Sequence, residues 1–161
     1  MDPVQQLLDI EAIKQLKYHY FRTMDAQDWP TFKELFTPDL EICFTNPAQP
    51  HPPTATRTPE GYFMVGRHDL LAWTEAGSRG CTTVHHAHMP EIELTGADSA
   101  IGLWSMTDYT RWNSVEPAVW VRGHGGHREH YVRTSAGWRI RRSWFTRYDM
   151  DSIEDALPQH A

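Results

Sequence analysis

Cysteine, long apolar runs and excess positive charge are all scarce in this chain. Only two cysteines occur in 161 residues, Cys43 and Cys81, and they show no paired spacing. This disfavours a disulfide framework or a zinc knuckle and makes a reducing compartment the default. No apolar run approaches the roughly 20 residues of a membrane span, and no charged-then-apolar leader opens the sequence. We therefore expect a cytoplasmic protein with no membrane partner.

The charge balance is acidic, with 15 Lys and Arg against 21 Asp and Glu, for a formal net charge of −6. An acidic surface repels nucleic acid and anionic membranes, so neither is expected as a partner. Aromatic residues are plentiful, with seven Trp, six Tyr and six Phe. Such residues form cores and also line pockets for flat, hydrophobic ligands, and composition alone does not separate the two uses.

The N-terminal half predicts helices and one short strand. Apolar residues recur every three or four positions over residues 3–27, which predicts an amphipathic helix. Pro30 suits the first turn of a short second helix, and residues 40–44 are typical of a strand. Residues 46–59 hold five prolines, so we expect a long loop there, with a lid over a binding site as one possible role. A third helix is predicted at residues 66–76.

The C-terminal half predicts a sheet. Four strand-like runs follow one another, separated by short turns, at residues 81–94, 99–112, 119–133 and 138–149. Such an order predicts an antiparallel meander. Gly123, Gly125 and Gly126 predict a bend or bulge in the third run. Helices followed by a curved antiparallel sheet indicate an α+β cone, with a single domain over residues 1–150 and a frayed tail at residues 151–161.

Three histidines, His85, His86 and His88, lie in the first of these strand-like runs. Imidazole exchanges protons near neutral pH, so the cluster indicates acid–base chemistry or metal binding. His86 and His88 share one strand face and, with Gly80 and Glu93, come close to the first metal-binding motif of cupins. No second motif follows, so a cupin-like metal enzyme remains an alternative and no metal is expected.

Part of the chain matches a known family. Residues 10–25, followed by Trp29, match its first-helix signature. The match resumes further along at His85, His88, Pro90, Glu91, Ile92, Trp104, Asp108, Gly125, Gly126 and residues 138–147. On these residues the chain resembles the SnoaL-like branch of the NTF2-like superfamily, most of all the bile-acid 7α-dehydratases and more distantly scytalone dehydratase. It differs from them at Met89, in the additional His86 and in the longer proline-rich loop, and these differences bear on the substrate more than on the fold.

The resemblance implies a cone-shaped fold and a cofactor-independent lyase, most simply a dehydratase acting on a polycyclic or aromatic hydroxy-carbonyl compound. The matching positions make Tyr20, Asp25, His85, Asp108 and Arg147 the catalytic residues. In this hypothesis His85, oriented by Asp108, removes a proton next to a carbonyl. Tyr20 donates a hydrogen bond to the developing enolate or to the leaving hydroxyl. Asp25 orients Tyr20 or assists proton transfer, and Arg147 anchors an anionic or carbonyl group.

Four further residues are expected to contact the substrate: His88, Trp104, Trp120 and Trp144. The same catalytic set is compatible with an isomerase, a cyclase or a carbon–carbon lyase, because all three reactions pass through an enolate-like intermediate. A non-catalytic module that binds a small molecule is a further alternative. Relatives form dimers and trimers, so the resemblance also implies a homo-oligomer.

Overall fold

The computed structural model describes residues 2–45, 53–113 and 119–153. Its elements run in the order α1 (Pro3–Asp25), α2 (Trp29–Lys33), β1 (Phe36–Phe44), β2 (Thr56–Thr58), β3 (Gly61–Val65), α3 (Arg67–Gly77), β4 (Cys81–Leu94), β5 (Ser99–Trp112), β6 (Val119–Thr134) and β7 (Gly137–Ile153). The predicted α+β arrangement, with N-terminal helices packed against a curved and mostly antiparallel sheet, is confirmed. Within the described ranges no helix has the length and apolar character needed to cross a membrane.

Helix α1 begins and ends on local signals. The Asp2 carboxylate caps its N terminus by accepting from the backbone N–H of Gln5 at 3.3 Å, and Pro3 occupies the first turn. The helix ends at Asp25, two residues before the predicted end, and Gln27 has a φ of 54°, which turns the chain away. Its buried face repeats every three or four residues and includes Ile13, Leu16, Lys17, Tyr20 and Phe21.

The seven strands form one sheet in the order β2-β3-β1-β7-β6-β5-β4. Each strand from β4 to β7 pairs antiparallel with the next, so the predicted meander is confirmed. β1 lies parallel to β7. Helix α1 packs against β4 and β7, and α3 packs against β1. The interior of the protein is therefore the space between these helices and the inner face of the sheet.

Four strands depart from the sequence prediction. β1 starts at Phe36 instead of residue 40 and includes Pro38. Proline has no backbone N–H to donate, but Pro38 lies where the β1–β7 register shifts, so the sheet requires no regular hydrogen bond from it. β2 and β3 form a hairpin on β1, although β2 falls in the loop predicted at 46–59; residues 46–52 lie outside the described residues. β7 continues to Ile153, so the first three residues of the expected tail belong to a strand.

An irregularity in β4 changes which of its residues face the interior. The β4–β5 register shifts between His88 and Glu91, around Met89, whose φ is 44°. Before this point the more buried residues are the odd-numbered ones, and beyond it the even-numbered Ile92 and Leu94 pack against the core. An extra residue in one strand reverses the alternation of its side chains, and this bulge does so in β4.

A second irregularity lies in β7, where the register with β6 shifts between Ile140 and Arg142. Trp138 and Ile140 are buried before the shift, whereas Phe145 and Arg147 are the residues that reach the interior beyond it. The inward-facing set thus changes from even to odd numbers along one strand.

The β6–β7 register also shifts between His124 and Gly125, but the extra residue there is Tyr148 of β7, so the bulge predicted in β6 is wrong and lies in the neighbouring strand. A Cβ atom added at Gly125 would lie 2.4 Å from the carbonyl oxygen of Thr146. That oxygen belongs to the backbone of the neighbouring strand, so only glycine permits this approach.

Lys17 and Glu129 form a fully buried ion pair beneath α1, with 2.6 Å between Nζ and Oε1 and both side chains 0% exposed. The hydroxyl of Tyr131 donates to the other carboxylate oxygen, and the indole N–H of Trp104 donates to that hydroxyl at 2.8 Å. The ammonium also lies 4.2 Å from the centroid of the Tyr20 ring. Buried charges require partners for their remaining hydrogen-bonding positions, and this network supplies them.

Candidate active site

An apolar cavity of about 280 Å³ lies between α1, α3 and the inner face of the sheet. Its walls include Phe21, Met24, Phe44, Leu70, Trp73 and Phe145. The same cavity is lined by Tyr20, His85, Asp108, His127 and Arg147. An apolar space with a few convergent polar groups is the usual form of a small-molecule site.

His85 is held in the cavity wall by Asp25. The imidazole Nδ1 lies 2.6 Å from Oδ1 of Asp25, and the backbone N–H of His85 donates to Oδ2 at 2.9 Å. The hydroxyl of Thr83 donates to Oδ1 at 2.9 Å. Asp25 is the last residue of α1, so its carboxylate reaches the edge strand β4. With Nδ1 as the donor to the carboxylate, Nε2 carries the lone pair and is available to accept a proton.

The predicted pairing of His85 with Asp108 is wrong. The two residues face each other in the β4–β5 register, but Asp108 binds Arg147 through both oxygens, at 3.0 Å and 2.6 Å. A guanidinium matches both oxygens of a carboxylate, which a single imidazole N–H does not. The prediction that Asp25 orients Tyr20 is also wrong, because the Asp25 carboxylate binds His85 and Thr83.

Gly123 provides the space for the Asp108–Arg147 pair. A Cβ atom at this position would lie 1.9 Å from Nη1 of Arg147 and 2.3 Å from Oδ1 of Asp108. Both side chains are largely buried: 15% of the Arg147 side chain and 9% of the Asp108 side chain are exposed. A side chain at position 123 would therefore have to displace the pair.

Gly123→Ala is expected to lower the free energy of unfolding by about 1 to 3 kcal/mol, because the added methyl overpacks the site. Unfolding in urea measures this loss. Gly77→Ala is the matched control, since nothing lies within 4 Å of the added methyl; because Gly77 is the last residue of α3, this change is expected to leave stability unchanged or raise it by up to about 1 kcal/mol. Equal effects of the two substitutions would contradict the assigned role of Gly123.

His127 is the second imidazole in the cavity and is only 6% exposed. Its ring stacks on Phe145 with 4.9 Å between centroids, and Nε2 lies 3.4 Å from Sδ of Met106. Burial holds the pKa of His127 well below 6.5, and the nearby charge of Lys17 acts in the same direction. His127 was not among the site residues predicted from the sequence; its alternation with Glu129 along β6, which places both side chains on the inner face, was the available signal.

His127 is expected to make the protein less stable in mild acid. Its ring stays neutral in the folded protein but gains a proton in the unfolded chain below about pH 6.5, so the unfolded state binds more protons. The free energy of unfolding therefore falls as the pH drops from about 6.5 towards the pKa that His127 has in the folded protein. Above about pH 6.5 the ring is neutral in both states, so His127 has no such effect. His127→Phe keeps an aromatic ring against Phe145 and should flatten the dependence between about pH 6.5 and pH 5. Urea unfolding over this range checks it, and an unchanged slope would refute it.

Tyr20 belongs both to the core and to the cavity wall. Its ring packs against Phe32 and Phe36, with centroid distances of 5.1 Å and 5.8 Å, and the residue is 8% exposed. Burial raises the pKa of Tyr20, and the charge of Glu129 raises it further. The phenol therefore keeps its hydrogen and can act as a donor.

Four residues were predicted to contact the substrate, and none of them lines this cavity. They are His88, Trp104, Trp120 and Trp144. His88 is exposed on the other side of the sheet and stacks on His86. Trp104 is buried, and its indole donates to Tyr131. Trp144 packs against arginine guanidinium groups and lies beyond the β7 bulge, which turns it outward.

Two other tryptophans, Trp73 and Trp112, line the cavity in their place. Trp73 lies three residues after Leu70 in α3, so the two share a helix face. Trp112 has the same strand parity as Asp108 in β5, which contains no bulge against β6. Both signals were present in the sequence but did not distinguish a cavity wall from ordinary core.

Among the residues that the structure describes, no three His, Cys, Asp or Glu side chains are grouped so that they could hold a metal ion. The two histidines of the cupin-like alternative, His86 and His88, lie on the exposed side of β4 with their rings 15° from parallel. Cys43 and Cys81 are both free thiols.

Comparisons with known proteins extend these observations. The sequence model of a SnoaL-like domain matches residues 5–143. A proposed scytalone dehydratase from Novosphingobium aromaticivorans has 16% identity and a TM-score of 0.74, over 92% of this chain and 90% of its own. A type 2 hexachlorocyclohexane dehydrochlorinase has 14% identity and a TM-score of 0.75, over 97% and 98% of the two chains. A proposed NTF2-like dehydratase from Streptomyces avermitilis has 14% identity and a TM-score of 0.68, over 88% and 97%. At these identities the structural likeness concerns the fold.

Proposed function

Because the chain belongs to the SnoaL-like domain family, we propose that its cavity is the active site of a lyase that needs no metal or other cofactor. The reaction is the removal of water from a flat, hydrophobic, polycyclic or aromatic hydroxy-carbonyl compound. The observation that carries this proposal is the His85–Asp25 pair in an apolar cavity, with Nδ1 and Oδ1 2.6 Å apart.

The proposed reaction uses His85 as both base and acid. Nε2 takes a proton from the carbon next to the carbonyl, and the electron pair moves to the carbonyl oxygen to give an enolate. The enolate then expels the hydroxyl from the neighbouring carbon, and this hydroxyl takes the proton back from the imidazolium and leaves as water. Asp25 stabilises the imidazolium between the two steps. Tyr20 donates a hydrogen bond to the leaving hydroxyl.

The charges around the cavity favour a neutral substrate. Arg147 is paired with Asp108, and Asp25 with the imidazole of His85. A substrate carboxylate or phosphate would lose its water without gaining a new opposite charge, which is costly in an apolar site. Arg147 is therefore proposed to hold Asp108 and shape the cavity wall, in place of anchoring an anionic or carbonyl group as the family resemblance implied.

Elimination is preferred to the other reactions that the same base could run. The similar structures include proteins named as dehydratases and a dehydrochlorinase, and both names describe loss of a leaving group from a carbon skeleton. Isomerisation, ring closure and carbon–carbon cleavage would also begin with proton removal by His85. They are distinguished by the product formed.

The compound 3-hydroxy-1-tetralone tests this function, because it is flat, bicyclic and neutral and carries a hydroxyl in the β position to a ketone. Loss of water followed by tautomerisation gives 1-naphthol, which is detected by its fluorescence. The purified protein is expected to accelerate this reaction. If a panel of β-hydroxy aryl ketones binds, as judged by quenching of tryptophan fluorescence, but none is turned over, the non-catalytic binding module would replace the lyase.

A further inference from the structure

Within the cavity, His127 faces a weak hydrogen-bond acceptor. Its Nε2 lies 3.4 Å from the thioether sulfur of Met106, and both side chains line the cavity. A thioether carries no hydrogen to donate, so this contact is a hydrogen bond only when Nε2 carries the imidazole hydrogen. Because sulfur is a poor acceptor, an oxygen of a bound molecule would replace it readily.

The other ring nitrogen supports the same tautomer. Nδ1 of His127 is buried and makes no hydrogen bond with any residue that the structure describes. It lies 3.5 Å from Oε1 of Glu129, and this contact does not have the geometry of a hydrogen bond. A hydrogen on Nδ1 would lack a well-aligned acceptor, whereas one on Nε2 has the Met106 sulfur.

The fold holds this ring in place. His127 stacks on Phe145 and meets the rings of Tyr20 and Phe21 edge to face, at 5.9 Å and 6.0 Å. The buried pair of Lys17 and Glu129 lies behind it. A donor fixed before the substrate arrives needs no reorganisation when charge develops, which is the condition for strong electrostatic stabilisation.

We propose that His127 is a second catalytic residue, which donates its Nε2 hydrogen to the substrate oxygen that becomes negatively charged when His85 removes the proton from carbon. This assignment rests on the proposed function. It takes the ligand of the cavity to be a neutral molecule that gains an oxyanion during the reaction.

The donation involves no transfer of the proton. His85 holds the proton taken from carbon, the electron pair rests on the substrate oxygen, and His127 keeps its hydrogen while bonding that oxygen. A ring that stays neutral is suited to this task, because a neutral imidazole can polarise a carbonyl without giving up its proton. Burial keeps the pKa of His127 low, which maintains that neutral form. Tyr20 is then left for the hydroxyl that departs.

Binding of 4-nitrophenolate and nitrobenzene to the full chain tests the assignment without depending on turnover. Nitrobenzene has the same ring and nitro group as 4-nitrophenolate but lacks the phenolate oxygen, so the ratio of the two affinities separates hydrogen bonding to the oxyanion from packing. His127→Phe is expected to weaken 4-nitrophenolate binding by about tenfold or more and nitrobenzene binding by less than about threefold. His130→Phe, on the same strand and packed on Trp144 away from the cavity, is the matched control and should change neither affinity. His127→Asn, which offers an amide donor, should restore part of the phenolate affinity.

Equal weakening of both ligands by His127→Phe would show that the ring only packs, and no weakening of either would also overturn the proposal. Nitrogen-15 NMR of the wild-type imidazole gives a second measurement that needs no variant. The Nε2–H tautomer is expected, and an Nδ1–H tautomer would overturn the assignment. If phenolate binding depends on His127 but 3-hydroxy-1-tetralone is not turned over, the oxyanion donor stands and the proposed dehydration fails.

Discussion

His85→Ala is expected to lower the turnover of 3-hydroxy-1-tetralone by a factor on the order of 10² to 10⁴, the range that a positioned general base contributes. The substitution removes the nitrogen that takes the proton from carbon and returns it to the leaving hydroxyl. Substrate binding should change little, because the cavity walls are formed mainly by other side chains. Steady-state kinetics give the turnover number, and quenching of tryptophan fluorescence gives the affinity.

His86→Ala is the matched control. His86 is adjacent in sequence but exposed on the opposite side of β4, so its removal should leave turnover within about twofold. Asp25→Asn should reduce turnover nearly as much as His85→Ala, because an amide cannot stabilise the imidazolium and can favour the wrong tautomer. If His85→Ala both loses ligand binding and unfolds, His85 has a structural role, and its assignment as the base would be refuted.

Lys17→Met is expected to lower the free energy of unfolding by about 3 to 5 kcal/mol, because it leaves the carboxylate of Glu129 buried without an opposite charge. Both side chains are 0% exposed, and 2.6 Å separates Nζ from Oε1. The loss is a large share of the roughly 5 to 15 kcal/mol that stabilises a typical domain. Urea unfolding followed by tryptophan fluorescence measures it.

Lys14→Met, one turn earlier in α1, is the matched control. Lys14 pairs with Glu11 at 4.0 Å near the surface, and such pairs contribute about 0 to 1 kcal/mol. Adding Glu129→Gln to Lys17→Met should recover part of the loss, since the amide oxygen still accepts from Tyr131 and no charge remains buried. A loss in Lys17→Met no larger than that in Lys14→Met would show that the buried pair contributes nothing.

Much of the fold was predictable because its signals are local. The spacing of apolar residues gave α1, and the order of four strand-like runs gave the meander of β4 to β7. The glycines of β6 indicated an irregularity at this place in the sheet, although the extra residue belongs to β7. The position of the hairpin formed by β2 and β3 was not predictable in this way, because these short strands depend on pairing with β1, a partner distant in sequence.

Several residues of the cavity wall were predictable, but their partners were not. The family resemblance brought Tyr20, His85, Asp108 and Arg147 into one cavity, and the structure places all four in its wall. The partner of His85 depended on how far the end of α1 reaches across to β4. The outward position of Trp144 depended on the bulge in β7, which reverses the alternation of side chains.

The sequence by itself determined the helices, the meander and several residues of the cavity wall, because periodicity, turn residues and family motifs act over short stretches. Tertiary structure alone decided that Asp25 and not Asp108 holds His85, that Gly123 makes room for Arg147, and that His127 is buried beside Met106. The physical reason is that these contacts join residues up to 60 positions apart. Their geometry is set by strand register, bulges and the position of a helix end, and none of these is encoded in the spacing of a single segment.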